Sequence, residues 1–212
     1  MIDPSARIHP SADLEEGVTI GPRTSIWHRA QIRRAASVGG DCIIGRDAFI
    51  DEGVVLGDRV KIQNGALVYH GVTVGDGVFI GPGAILTNDR NPRAVTATGD
   101  LATADDWTVT PIHLADGASI GAGAVIVAGC DVGPYAMVGA GAVVTHPVPG
   151  YALVVGNPAH RIGWVCACGT RLTEHESGRF TCPSCKREYV YLPDRETLEE
   201  RTGPVVTQGA PA

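Results

Sequence analysis

The sequence predicts an all-β fold, a parallel β-helix of six-residue repeats followed by a small cysteine-rich module, on three observations. Ile, Leu or Val occupies every sixth position from Ile2 to Leu86, and the same spacing returns from Leu114 to Val144. A small or β-branched residue stands four positions after the aliphatic residue of nearly every repeat. Four cysteines form two close pairs beyond the last repeat. This period and this inward pairing are typical of hexapeptide β-helices.

The repeat has a simple physical meaning. Three repeats close one triangular coil, with a short strand on each side and a turn at each corner, and coils stack about 4.8 Å apart. A helix is a poor alternative, because a strict period of six does not keep one face of a 3.6-residue helix. Aromatic residues make up only 5% of the 212 residues while Gly numbers 28, so we expect a core of aliphatic and small side chains. The repeats predict about seven coils.

Breaks in the repeat define the expected segments. We predict the β-helix over residues 1–144, interrupted by a polar excursion loop over 87–113. Loops of this length in compact domains are usually functional or disordered. Beyond the helix we predict a segment over 145–163 that packs back on it, the cysteine-rich module over 164–190, and a loose tail over 191–212.

The six cysteines belong to two classes. Cys42 and Cys130 fall at the small inward position of the repeat and are predicted to be core residues. The other four have the spacing of a zinc ribbon, in which a structural Zn²⁺ with four thiolate ligands has no open position for catalysis. Disulfides are the alternative for these four. The predicted metal ligands are Cys166, Cys168, Cys182 and Cys185.

The corners of the coil carry the candidate chemistry, because residues 18 apart lie on one edge of the prism. One such column ends with His70 and Asn88, where Asn88 opens the excursion loop. A second column contains His28, Arg46 and Asn64, and Ala122 and Ala140 leave a stretch with almost no side chain where a thin ligand could lie. A lone corner histidine is usually plain surface. A histidine beside an asparagine at the mouth of a long loop is a better candidate for a site.

Composition excludes several classes of partner. The net charge of −6 argues against a large nucleic-acid or membrane surface. The start of the chain has no basic segment followed by an apolar stretch, so no signal peptide is predicted. No apolar run is long enough to span a membrane. We therefore expect a soluble, cytoplasmic protein with neither nucleic acid nor membrane as its partner.

Four stretches resemble a known family: SIWHRAQI (25–32), KIQNGALVYHGVTVGDGVFIGPGAILTNDRNPRA (61–94), DGASIGAGAVIVAGCDVGPYAMVGAGAVVT (116–145) and VPGYALVVGNPAHRIGW (148–164). Together they are similar to the hexapeptide-repeat N-acyltransferases that act on nucleotide-linked 3-amino sugars. The resemblance implies a left-handed β-helix and a homotrimer with active sites between neighbouring subunits. It also implies acetyl-CoA as the donor and a UDP- or dTDP-linked 3-amino sugar as the acceptor.

The resemblance also implies roles for individual residues. Asn88 matches an Asn that contacts the sugar near its amine and is expected to orient that amine, while His70 or His28 accepts its proton. An unprotonated amine attacks a thioester readily, so direct transfer without a covalent enzyme intermediate is expected. The acetyl-CoA site is expected at Ala122, Ala140, Pro158 and Arg161. The sugar nucleotide is expected to contact Trp27, Lys61, Gln63, Asn64, Tyr69, Asn91 and Arg93.

Two other functions compete with acyl transfer. A carbonic-anhydrase-like metalloenzyme uses the same fold, but it needs three His ligands and residues 76–90 contain no histidine. A non-catalytic β-helix assembly subunit is the second alternative, since a fold does not determine a function.

Overall fold

A computed structural model describes residues 1–201, and it contains the predicted parallel β-helix. We number the strands in chain order and name the three sides of the prism by the order in which the chain meets them. Side one contains β1 (Arg7–Ile8), β4 (Ser25–Ile26), β7 (Ile43–Ile44), β10 (Lys61–Ile62), β13 (Phe79–Ile80), β16 (Ser119–Ile120), β18 (Met137–Val138) and β20 (Ala152–Val155).

The other two sides are built in the same way. Side two contains β2 (Asp13–Leu14), β5 (Gln31–Ile32), β8 (Phe49–Ile50), β11 (Leu67–Val68), β14 (Ile85–Leu86), β17 (Val125–Ile126) and β19 (Val143–Val144). Side three contains β3 (Thr19–Ile20), β6 (Ser37–Val38), β9 (Val55–Leu56), β12 (Val72–Val74) and β15 (Ile112–Leu114).

Parallel pairing between coils follows the repeat. Leu67 pairs with both Phe49 and Ile85, each 18 residues away, and the strands on the other sides keep the same register. The aliphatic and small residues point inward and are buried, and Cys42 and Cys130 are among them, as predicted. Thr24 is the polar exception at an inward position, and its hydroxyl donates to the Gly39 carbonyl at 2.7 Å. The prism is therefore filled by the residues that define the repeat.

The β-helix is longer than the sequence predicted. Side one has eight parallel strands, β1 to β20, so the solenoid has about eight turns rather than seven. Met137 pairs in parallel with Leu153, which places part of the predicted 145–163 segment inside the helix itself. The step of six missed this coil because Val148 follows Val144 by four residues. The chain then reverses into β21 (His160–Trp164), which pairs antiparallel with β20.

The excursion loop leaves after Leu86 and returns at Ile112, close to its predicted bounds. It has one short 3₁₀ helix over Ala104–Asp106, capped by the Thr103 side chain. The Thr110 backbone N–H donates to the Asn88 carbonyl at 2.9 Å and closes the base of the loop. Both ends of the loop are therefore fixed to the last corner before it.

The cysteine-rich module is a four-stranded antiparallel sheet of β22 (Thr173–Glu174), β23 (Arg179–Thr181), β24 (Glu188–Leu192) and β25 (Thr197–Glu200), with a 3₁₀ turn over Glu176–Gly178. The predicted boundary at 190 is too early, because β25 pairs with β24 and Leu198 is buried. The rest of the predicted tail, residues 202–212, lies outside the described residues. Within residues 1–201, no helix has the length and apolar character needed to cross a membrane.

Candidate functional site

The predicted site residues lie on two different edges of the prism. Edge one joins side one to side two, and its corner residues directly follow the side-one strands. Edge two joins side two to side three. Side two therefore lies between the two groups of candidate residues. Edge one carries Trp27, His28, Gln63, Asn64, Ala122 and Ala140, and edge two carries Tyr69, His70 and Asn88.

His70 on edge two has a defined hydrogen-bonding state. Its Nδ1 atom lies 2.6 Å from the backbone carbonyl oxygen of Glu52, one coil below. A carbonyl oxygen can only accept, so Nδ1 must carry the proton of this bond. In the neutral imidazole the other nitrogen, Nε2, is then unprotonated. The side chain is exposed, so the ring presents a proton acceptor to an incoming ligand.

Asn88 occupies the next corner of edge two. Val68 pairs with Leu86, and His70 and Asn88 each follow these partners by two residues, so they lie in adjacent coils as predicted. The Asn88 backbone is held by Thr110, while its half-buried side chain has no hydrogen bond to another residue of 1–201. The end of the loop also packs against this corner. The Val109 side chain lies so close to Gly71 that a Cβ at Gly71 would be only 2.5 Å from it. The amide is thus placed by its backbone and left available for a ligand.

The excursion loop forms an open cavity of about 790 Å³. Asn91 and Arg93, predicted to contact substrate, both line it, together with Trp107. The Arg93 guanidinium donates to the Pro92 carbonyl at 2.9 Å. This cavity is formed by loop residues alone and extends the polar surface that begins at Asn88.

Edge one contains a smaller groove of about 290 Å³, lined by Trp27, His28, Ile43, Gly45, Arg46, Gln63 and Asn64. The Trp27 indole is 50% exposed and forms a flat wall. The ring of His28 stacks on that of His9 with centroids 3.6 Å apart. The Asn64 side-chain oxygen accepts from the Arg46 backbone N–H at 2.9 Å, so its amide N–H groups face outward. Lys61 lies outside this groove, exposed on the outer face of side one.

Above the groove, edge one has almost no side chains. Ala122 and Ala140 are exposed at successive corners, and a Cβ at Gly121, which directly precedes Ala122, would collide with the Ala140 backbone nitrogen. The resulting channel leads to the turn that contains Pro158, which is held by a 2.8 Å bond from the Ala159 N–H to the Val143 carbonyl. The Arg161 guanidinium stacks 4.4 Å above the Trp164 ring and is exposed.

The four cysteines of the C-terminal module form one cluster. Their Sγ atoms all lie within 4.8 Å of one another, with Cys166 and Cys185 3.4 Å apart and Cys168 and Cys182 3.6 Å apart. A disulfide would hold sulfurs at about 2.05 Å. Thiolates bound tetrahedrally to zinc at about 2.3 Å lie about 3.8 Å apart, so the donor set fits that ion. In this structure all four are free cysteines, without the disulfides of the alternative.

The thiols of the cluster differ in acidity. Hydrogen bonds with the Thr170 hydroxyl and backbone lower the pKa of Cys168 to about 6. Burial raises the pKa of Cys166 to about 12. The Tyr189 hydroxyl lies 3.1 Å from the Cys166 sulfur and accepts from the Ala167 N–H at 3.2 Å. A metal would be needed to keep the buried sulfur as a thiolate.

Aromatic residues attach the module to the helix. Tyr135 stacks on Tyr151 with ring centroids 5.3 Å apart, and Tyr151 contacts Tyr189 in a tilted arrangement with centroids 5.2 Å apart. Trp164 contacts Phe180 in an edge-on arrangement, with centroids 6.4 Å apart. Tyr189 thus links the cysteine cluster to the last coils of the β-helix. These are five of the eleven Phe, Trp and Tyr residues of the chain.

The comparisons with known proteins agree with this architecture. The family model for bacterial transferase hexapeptide repeats matches residues 53–88 and 111–146, and the hexapeptide repeat of succinyl-transferase matches 35–70. Together the two models match residues 35–88 and 111–146, which lie in the coils of the β-helix. The predicted β-helix of hexapeptide repeats is therefore confirmed.

Individual relatives of this hexapeptide-repeat chain are known. A protein of Aneurinibacillus thermoaerophilus named dTDP-3-amino-3,6-dideoxy-alpha-D-galactopyranose 3-N-acetyltransferase is 52% identical over 75 residues, which cover 35% of this chain and 38% of the relative. The chain thus matches well under half the length of that relative.

Two solved structures share the hexapeptide-repeat fold. The acetyltransferase domain of PglB from Neisseria gonorrhoeae FA1090 has a TM-score of 0.50 at 24% identity, covering 74% of this chain and 57% of that one. A hexapeptide transferase family protein from Anaplasma phagocytophilum has a TM-score of 0.50 at 21% identity, covering 78% of each chain. At these identities the similarity is one of fold.

The structure adds residues that the sequence reasoning missed. The backbone carbonyl of Glu52 fixes the ring of His70, and Asp51 is buried beside it. The predicted column of His70 and Asn88 stands two positions after an aliphatic residue of each repeat. The column one position earlier, Glu15, Arg33 and Asp51, alternates in charge at a spacing of 18 and was the available signal.

Within residues 1–201, the four cysteines are the one group of three or more candidate metal ligands, and no group contains the three histidines of a carbonic-anhydrase-like site.

Proposed function

We propose that this hexapeptide-repeat protein transfers an acetyl group from acetyl-CoA directly to the 3-amino group of a UDP- or dTDP-linked amino sugar. The observation that carries the proposal is the free Nε2 of His70 beside the unpaired Asn88 amide at the mouth of the excursion loop. The 52% identity to a protein named as a 3-N-acetyltransferase of a dTDP-amino sugar supports the same acceptor.

The chemistry follows from the edge-two geometry. The Asn88 side chain orients the sugar amine, and the Nε2 atom of His70 removes its proton as nitrogen attacks the thioester carbonyl carbon. A backbone N–H stabilises the oxyanion that forms on the thioester oxygen. The C–S bond then breaks, and the CoA thiolate takes the proton that His70 removed from the amine. The products are the N-acetylated sugar and CoA.

Edge one provides the other half of the site. The exposed Trp27 face offers a stacking surface for a pyrimidine, and Gln63 and Asn64 offer amide donors and acceptors for its edge. Arg46 is the cation of this groove that suits a diphosphate. The side-chain-free channel past Ala122 and Ala140 suits the narrow pantetheine arm, with Pro158 and Arg161 at its far end.

We also propose that the protein is a homotrimer whose contact surface is side two. Five outward residues of this side, in adjacent coils and in register, are apolar and half-buried: Phe49, Leu67, Ile85, Val125 and Val143. The outward positions of the other sides are interrupted by polar residues such as Lys61 and Thr73. A contiguous apolar stripe of this kind favours burial against a partner.

The trimer explains why the candidate residues are divided between two edges. Side two has edge one along one margin and edge two along the other. In a closed threefold ring each contact is heterologous, so edge one of one copy meets edge two of its neighbour. The nucleotide groove of one copy would then face the His70 and Asn88 corner of the next, which completes the site.

Mixing two inactive variants tests this arrangement. Trp27→Ala damages edge one, Asn88→Ala damages edge two, and each pure variant is expected to be poorly active. In a random equal mixture of subunits, about a quarter of the sites join an intact edge one to an intact edge two, so about a quarter of the wild-type activity should return. The matched control mixes His70→Ala with Asn88→Ala, which share an edge and should restore nothing. Failure of the first mixture, with mixed trimers proven by mass spectrometry, would place the site within one chain.

A substrate panel tests the function itself. Purified protein and acetyl-CoA are incubated with UDP- and dTDP-linked 3-amino sugars, and free CoA thiol is measured together with the acetylated sugar by mass spectrometry. Turnover is expected only with the 3-amine, and matched 3-hydroxy and 4-amino nucleotide sugars serve as controls. Absence of turnover, with no stabilisation of the protein by CoA, would favour the assembly-subunit alternative.

For the C-terminal module we propose one structural Zn²⁺ bound by the four cysteines. The proposal is supported by the four convergent sulfurs and by their separations, which match a tetrahedral site. Four thiolates leave no open position, so the metal would stabilise the module and take no part in acyl transfer.

A further inference from the structure

Asp51 is a buried carboxyl at edge two, one coil below His70. It is 9% exposed, and among residues 1–201 it is the charged residue whose side chain is most deeply buried. Burying a carboxylate is costly unless it is paired and hydrogen-bonded. The contacts that offset this cost indicate what the residue does.

Three donors converge on the Asp51 carboxylate. Its Oδ1 atom accepts from the Glu52 backbone N–H at 2.8 Å and from the Arg33 guanidinium at 3.0 Å. Its Oδ2 atom accepts from the backbone N–H of His70 at 3.1 Å. One carboxylate therefore joins the backbone of Glu52 to the backbone of His70 in the next coil.

Glu52 and His70 also form the hydrogen bond that holds the imidazole ring of His70, the candidate general base. The Glu52 carbonyl accepts the Nδ1–H of His70, and Asp51 holds the backbone N–H of the same residue, so the orientation of the imidazole depends on a residue that Asp51 fixes. We propose that Asp51 is a positioning residue that fixes the Nδ1–H tautomer of His70 and directs Nε2 toward the substrate. This inference rests on the proposed function, since it assigns Asp51 a part in that reaction.

The neighbouring charged groups hold the Asp51 carboxylate in place. Arg33 lies between Asp51 and Glu15, and its hydrogen bonds to Glu15 and then to Asp51 raise the pKa of its guanidinium. A hydrogen bond from the Arg34 backbone N–H lowers the pKa of Glu15. Arg34 also pairs with the Glu52 carboxylate at 2.8 Å. Two guanidinium groups and three carboxylates thus form a connected network below His70.

The near-isosteric variant Asp51→Asn tests the proposal. An amide has one acceptor oxygen where three donors converge, so its NH₂ group must face a donor and weaken the hold on the Glu52 and His70 backbones. The tautomer of His70 is read from ¹⁵N chemical shifts of the imidazole in full-length protein, with the signal assigned by its loss in His70→Gln. We expect the wild-type ring in the Nδ1–H form and a tautomer mixture in Asp51→Asn. We also expect kcat to fall on the order of tenfold or more, by analogy with wrong-tautomer variants, while the KM for acetyl-CoA changes little.

Asp41→Asn is the matched control, because Asp41 also bridges coils through an arginine, Arg23, but lies exposed and away from His70. It should change neither the ¹⁵N shifts of His70 nor kcat. If Asp51→Asn fails to fold, Arg33→Gln removes one donor and should move both readouts in the same direction by less. An unchanged His70 tautomer with unchanged kcat in a folded Asp51→Asn protein overturns the positioning role. A shifted tautomer in a protein that acetylates no nucleotide sugar would support the positioning and refute the proposed function.

Discussion

Asn88→Ala is expected to lower kcat/KM for the amino sugar by roughly 30- to 1,000-fold, the largest kinetic effect we predict for a single side chain. Loss of a hydrogen bond that acts on the reacting group in the transition state costs about 2–4 kcal/mol. The Asn88 side chain is placed for this role by a backbone bond to Thr110 and by the packing of the loop end near Gly71. Steady-state kinetics with varied amino sugar measures the change.

His70→Ala separates the orienting role from the proton transfer. A histidine base must be neutral to accept a proton, so the wild-type rate should fall on the acidic side of the pH profile, and that limb should vanish in His70→Ala. His28→Ala is the matched control, because His28 stacks on His9 at edge one and should leave the limb intact. A limb that disappears in His28→Ala instead would transfer the role of base to His28.

Two results would contradict this mechanism. One is near-normal turnover in a folded Asn88→Ala protein, which would remove the orienting role. The other is radiolabelled acetyl bound covalently to the protein after rapid quenching, since direct transfer leaves no acetyl-enzyme. Asn88→Asp adds a finer test, because it preserves the shape of the side chain and removes its N–H donors.

Removal of metal is expected to unfold the C-terminal module while the β-helix stays folded, the largest structural effect we predict. In small metal sites of this kind the binding free energy is also folding free energy. The module has few buried apolar residues of its own, mainly Phe180, Tyr189 and Leu198, so it depends on the cysteine cluster. The β-helix is stabilised by its own core, so its β-strand signal in circular dichroism should persist after the metal is removed.

The measurement combines elemental analysis with hydrogen exchange. We expect about one equivalent of zinc per chain, lost on chelation, with exchange rising over residues 164–200 and unchanged in the coils. Cys168→Ser should lose the metal, whereas Cys42→Ala, which removes a buried core thiol, should keep it. Because the ligands must be thiolates, affinity should weaken as pH falls. A metal-free protein with a fully protected module would refute the assignment.

Several features of the site were predictable because they depend only on a periodic backbone. A spacing of 18 residues places His70 and Asn88 at corners of adjacent coils, independently of the hydrogen bonds that their side chains make. Local spacing likewise identified the four cysteines, since close pairs need little tertiary information to converge. The last coil and strand β25 were missed, because Val148 breaks the period and β25 has no repeat to reveal it.

The sequence by itself determined the prism, its inward side chains, the two columns of candidate residues and the cysteine cluster. Each of these follows from a repeat or from a short spacing along the chain. Only the tertiary structure decided that His70 donates through Nδ1 to Glu52, that Asp51 is buried between coils, and that the two columns flank an apolar side. These features depend on which backbone group faces which side chain across 18 residues, and periodicity fixes the neighbouring coil without fixing the hydrogen bonds made across it.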